Sequence, residues 1–185
     1  MIVQGFKIDK AKAPAIEVTG KNITVRDNTV TAPSGGDGDA IRFYGDYQSI
    51  LHNTLDTTGS NSGGHNDCMQ TFTSGGGPPT SNLLVDGNDC HAKHQCIMAE
   101  GPGDVGDGGG GPGEDKKWTI TNNICDSATT SQNIMLQYID DATITGNQFS
   151  GPKVDHAVGL TKCKNYTVEG NKIGNIKTEV NPNDT

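Results

Sequence analysis

His65, Asp67 and Gln70 fall together in the stretch GGHNDCMQTF, directly after a glycine-rich turn. The first two can carry a proton, and the third can only hydrogen-bond. Similar groups recur on either side: Asp39 precedes Arg42 in DAIRFYG, and His94 precedes Glu100 in HQCIMAE. Glycoside hydrolysis needs two carboxyl groups flanking the scissile bond, and Asp39 with Asp67 could supply them. Elimination from a uronic acid needs a base near the sugar C5 and a charge that neutralises the uronate. His65 or Arg42 could act as base, with a cation held on nearby acids as the neutralising charge. The candidate catalytic residues are therefore Asp39, His65, Asp67 and His94. The candidate substrate-binding residues are Glu17, Arg42, Gln70 and Glu100.

These groups can cooperate only if the fold brings them to one face, and a repeat supplies the means. One phrase recurs as NITVRDNTV, YQSILHNTL, SNLLVDGNDC, KWTITNNIC, DATITGNQF and NYTVEGNKI. Each copy has a β-rich apolar alternation, an asparagine, one polar residue and an apolar one. The asparagines are Asn28, Asn53, Asn88, Asn123, Asn147 and Asn171, at spacings of 25, 35, 35, 24 and 24. A period near 24 with two longer excursions signals stacked coils with loop insertions. Asparagine suits a corner because it tolerates the left-handed conformation and bonds locally. Stacked asparagines can also form an amide ladder. The apolar neighbours give two core columns: Val25, Ile50, Val85, Ile120, Ile144 and Val168 before the asparagine, and Val30, Leu55, Cys90, Cys125, Phe149 and Ile173 after it. The outward column, Thr24, Ser49, Leu84, Thr119, Thr143 and Thr167, suits a solvated sheet.

A second phrase precedes most copies: PAIEVTG, DAIRFYG, DCMQTFT, QCIMAEG, QNIMLQY and HAVGLTK. Its outward positions carry Glu17, Arg42, Gln70 and Met98. Coils in such a stack lie about 4.8 Å apart, so equivalent groups in neighbouring coils can act on one substrate. The two long insertions, DTTGSNSGGHND and EGPGDVGDGGGGPGEDKK, fall in the same coils, where loops form binding walls.

The expected fold is all-β: a right-handed parallel β-helix of about six to seven coils with two long loop insertions, one domain over residues 1–180 and a tail at 181–185. The chain resembles the pectate-lyase-like superfamily of right-handed β-helices over nearly its whole length. That resemblance implies a polysaccharide lyase or glycoside hydrolase. The progression DAI, NDCM, HQCI also resembles the acid, acid, histidine order of polygalacturonase-type hydrolases. It departs from them in having Asn66-Asp67 where they have adjacent aspartates, and no basic substrate-binding motif is evident.

Composition narrows the partners. A net charge of −8 argues against a sequence-independent grip on nucleic acid or an anionic membrane. No apolar run approaches the roughly 20 residues of a membrane span. The opening MIVQGFKIDK reads as a strand and not as a signal peptide, while the β-helix resemblance implies an extracellular or cell-surface setting. Uncapped coil ends would permit end-to-end self-association.

The segment GPGDVGDGGGGPGEDKK offers Asp104, Asp107, Glu114 and Asp115 as hard oxygen ligands for Ca²⁺. No organic cofactor is expected, and the His and Cys spacing matches no familiar zinc motif. By column, Cys90 pairs with Cys125 and Cys68 with Cys96, either bridged or as reduced apolar stacks. Asn22, Asn165 and Asn183 head glycosylation sequons. The leading expectation is a β-helix that binds and cleaves a polysaccharide on the face of Arg42, Asp67 and Gln70. The rival is a non-catalytic rod from a surface, fibre or filament protein.

Overall fold

The computed structural model describes residues 1–12, 14–60, 63–73, 78–103 and 115–182. The described residues contain strands and turns but no helix. The strands, in order, are β1 (Ile2–Gln4), β2 (Lys7–Asp9), β3 (Ile16–Arg26), β4 (Thr29–Thr31), β5 (Ile41–Leu51), β6 (Thr54–Asp56), β7 (Met69–Phe72), β8 (Ser81–Asp86), β9 (Asp89–Ala92), β10 (Ile97–Glu100), β11 (Asp115–Thr121), β12 (Ile124–Ser127), β13 (Gln132–Gln137), β14 (Ile139–Thr145), β15 (Gln148–Ser150), β16 (His156–Thr161), β17 (Thr167–Glu169) and β18 (Thr178–Pro182).

Every strand pairing among the described residues is parallel, and together they make a β-solenoid. One strip runs β1, β3, β5, β8, β11, β14, β17. A second runs β3, β5, β7, β10, β13, β16, β18, and a separate sheet of β2, β4, β6, β9, β12 and β15 closes the third side. The long strands β3 and β5 belong to both of the first two strips. They bend at Gly20 (φ 134°) and Gly45 (φ 116°). A Cβ on Gly45 would lie 2.2 Å from the Gly20 carbonyl oxygen, so the bend admits no side chain there. The last strand pairs Gly159 with Asn181 and Leu160 with Pro182, so the sheet runs past residue 180.

The columns follow the register read from the sequence. Val25, Ile50, Val85, Ile120, Ile144 and Val168 pair in succession on the inner side. Val30, Leu55, Cys90, Cys125 and Phe149 stack on the opposite wall. Between the walls lie the buried Phe43 and Trp118, ring centroids 6.1 Å apart. One coil alone exposes its inner face, so burial is complete only through stacking.

The asparagine ladder is present. From Asn53 through Asn171 each Oδ1 accepts both the backbone N–H and the side-chain amide of the preceding asparagine, at 2.8–3.0 Å, and Asn28 Oδ1 accepts the Phe6 N–H. The left-handed corner, however, is not the asparagine. It is the residue before it: Asp27, His52, Gly87, Asn122, Gly146 and Gly170 all have φ between 53° and 69°. The asparagine is there for its two-sided amide, which satisfies a buried N–H and continues the ladder at once.

The cysteine pairing also differs. Cys68 is bonded to Cys90, and Cys96, Cys125 and Cys163 are buried thiols. Residues stacked in one column project side by side. Cys68 and Cys90 project toward each other from different walls, with Cα atoms 6.2 Å apart.

Candidate functional site

Glu17, Arg42, Gln70 and Met98 are in register on neighbouring strands, as expected for one outward row. Beside them, Tyr44 and Phe72 meet edge-to-face at 5.4 Å, and the Arg42 guanidinium lies 5.4 Å from the Phe72 ring centre. Gln70 and Glu100 point outward from their strands yet are buried, and the Gln70 amide donates to the Met98 sulfur at 3.4 Å. Arg42 also anchors the acids before it: Nε and Nη2 reach Asp39 Oδ2 at 2.8 and 2.7 Å, and Nη2 reaches Asp37 at 3.1 Å.

Asp39 and Asp67 lie in matching positions but have no surface exposure. Asp39 Oδ1 accepts the Asp67 N–H at 3.0 Å, and Asp67 Oδ1 accepts the Gln95 N–H at 2.7 Å. Burial pushes the Asp39 carboxyl up to about 6 and Asp67 well above the usual carboxylate range. The pair forms a second corner ladder, directed inward. It is Gln95, and not His94, that continues this ladder.

His65 and His94 come together, ring centroids 5.5 Å apart. His94 Nδ1 accepts the Asn66 N–H at 2.9 Å, which requires a neutral ring with its proton on Nε2. Burial, then the nearby His65 and Lys93, hold its pKa below the ordinary value.

Of the calcium candidates, Asp104, Asp107 and Glu114 lie outside the described residues. Asp115 is buried at the start of β11. Its Oδ1 accepts the Thr80 N–H at 2.7 Å, while Oδ2 has no hydrogen-bond partner among the described residues. Burial raises this carboxyl to about 7.

Asp115 also walls a groove that sequence reasoning missed. Where the first strip turns into the second, one residue per coil lines up along the solenoid axis. Lys21 pairs with Asp46, Asp46 with Ser81, Ser81 with Lys116 and Lys116 with Asp140. Asp140 then accepts the Lys164 N–H at 3.0 Å. Two cavities open along this line. The first, about 430 Å³, is lined by Lys21, Asp46, Pro78, Pro79, Asn82 and Lys116 among others. The second, about 180 Å³, is lined by Asp115, Tyr138, Asp140, Lys162 and Lys164 with Pro102 and Gly103. Consecutive residues of β11 line them, Lys116 the first and Asp115 the second. Lys21 pairs with Asp46 at 3.6 Å, and Asn82 donates to Asp46 at 2.8 Å. The signal was available: each residue of the row stands seven before its ladder asparagine (Phe6 fills the ladder place in the first strands).

No family model matches the chain, and no curated protein does. Among solved structures it is similar to QnrB1, a plasmid-mediated fluoroquinolone resistance protein in trypsin-treated form. The identity is 13%, the match covers 94% of this chain and 89% of that one, and the TM-score is 0.16.

Proposed function

We propose that this chain is a right-handed, pectate-lyase-like β-helix of six to seven coils that binds an extended polysaccharide along the corner groove and cleaves it there. The observation that supports this reading is the axial row Lys21, Asp46, Ser81, Lys116, Asp140, Lys164, which lines two cavities. A polymer laid along the axis meets one polar group per coil, about every 4.8 Å. Lysines suit uronate carboxylates, and aspartates and serine suit sugar hydroxyls. The chain's negative net charge does not oppose this, because the lysines are local to the groove.

Within this reading the proton-transfer group is Asp115. Its pKa of about 7 lets it hold or accept a proton near neutrality, and among the described residues Oδ2 is not committed to another group. Asp39 and Asp67 serve as architecture under the Arg42 face. Calcium on Asp104, Asp107, Glu114 and Asp115 would occupy that carboxylate, so it stands as the alternative to proton transfer at Asp115, and chelation tests it. An extracellular or cell-surface setting fits the Cys68–Cys90 bond.

The test is a polysaccharide screen that follows reducing ends and unsaturated uronate absorbance together. Reducing ends alone indicate hydrolysis, and both signals indicate elimination. The absence of binding and of both signals on every polymer would overturn the proposal.

A second reading, a structural module that associates end to end, has its own observation. Met1, Ile2 and Phe6 are 68, 61 and 56% exposed beside an apolar cavity at the β1–β2 end. Concentration-dependent light scattering without glycan binding would favour it.

A further inference from the structure

The interior holds four cysteines whose positions are related by one coil step. Met69 pairs with Ile97 in register, so Cys68 and Cys96, the residues just before them, are equivalent. Cys90 pairs with Cys125 in register. The step that carries Cys68 onto Cys96 therefore carries Cys90 onto Cys125. The surroundings repeat as well. Cys68 Sγ lies 3.6 Å from the Leu55 carbonyl oxygen, and Cys96 Sγ lies 3.7 Å from that of Cys90, the residue stacked on Leu55. Asn133, next in the series, reaches the Cys125 carbonyl at 3.1 Å. Cys68 and Cys90 are bonded.

We propose that Cys96 and Cys125 form a second disulfide, stacked one coil beyond Cys68–Cys90. The sulfurs of Cys68, Cys90 and Cys96 lie within 4.8 Å of one another, so Cys90 is the competing partner. Its bond to Cys68 leaves Cys125 for Cys96. Both thiols are wholly buried after folding, so the bond forms as the coils close. The oxidant is a small-molecule disulfide such as oxidised glutathione. One cysteine thiolate attacks it, giving a mixed disulfide and one glutathione thiol. The second thiolate then attacks the protein sulfur of that mixed disulfide and releases the second glutathione. Two cysteine thiols are thereby oxidised and one glutathione disulfide is reduced. Two stacked cross-links would staple two consecutive coils, restricting the unfolded chain twice over.

The full chain, reduced and unfolded, is refolded in a glutathione redox buffer. It is then denatured without reductant, alkylated and digested. The expected result is one alkylated cysteine, Cys163, with the Cys96 peptide joined to the Cys125 peptide. In the same assay Cys125→Ala should leave Cys96 alkylated and Cys68–Cys90 intact. Alkylation of both Cys96 and Cys125 in the wild-type chain with Cys68–Cys90 intact would overturn the proposal, and so would a Cys90–Cys96 linkage.

Discussion

Asp39 accepts the backbone N–H of Asp67 at 3.0 Å while its other oxygen is held by Arg42. One carboxylate thus closes a buried corner and neutralises a cation at the edge of the outward face. Arg42→Ala would leave the Asp39 charge buried and unpaired. The expected loss is about 3–5 kcal/mol at pH 8, measured by urea unfolding. The loss should shrink at pH 5, where Asp39, with its pKa of about 6, takes a proton. An equal loss at both pH values would show that the arginine acts through packing alone.

Buried carboxyls set the pH dependence. Asp39 and Asp115 are raised from 3.8 to about 6 and about 7, and Asp67 is raised well above 3.8, in each case chiefly by burial. A carboxyl with a raised folded pKa binds more protons when folded, so stability falls as pH rises from about 4 to 7. Asp67→Asn should flatten part of that fall in thermal melts. An unchanged slope would mean that Asp67 ionises freely in the folded chain.

The asparagine ladder should carry more stability than its surface area suggests. Asn88 accepts two hydrogen bonds from Asn53 and donates to Asn123 and to the Ile50 carbonyl. Asn88→Ala strands these buried groups, at roughly 1–3 kcal/mol each. Thr143→Ala, on the solvated row, should change the unfolding midpoint little. Similar effects at both positions would contradict the ladder's role.

Register is tested at the core column. Ile120→Asp places a charge among wholly buried side chains and should unfold the chain, whereas Thr143→Asp should be tolerated. Circular dichroism of the two variants separates them. A folded Ile120→Asp chain would refute the assigned inner face.

The columns were legible because a parallel stack repeats the same inward and outward alternation, and Val25, Ile50 and Val85 keep one distance from their asparagines. The neighbourhood of Arg42 and Gln70 was legible for the same reason. The burial of Asp39 and Asp67 was not, since it depends on packing at a corner that no local pattern encodes. Neither was the Cys68–Cys90 bond, which crosses between walls where column logic compares only stacked residues. The groove was overlooked, although its row keeps a constant distance from the ladder asparagines, because lysine, aspartate and serine alternate there with no shared residue type to mark a column. The left-handed corners show how a correct landmark can be explained wrongly. Asn28 marks the turn, yet Asp27 makes it.

The central claim rests on Asp115, and turnover by two variants tests it most directly. On whichever polysaccharide the wild-type chain cleaves, Asp115→Asn should lower turnover by about 100-fold or more, the usual contribution of a general acid or base. It should retain the wild-type fold and glycan affinity. Asp67→Asn should keep turnover within a few-fold of wild type. The opposite outcome, activity retained without the Asp115 carboxyl and lost without that of Asp67, would contradict the account and return the chemistry to the buried ladder.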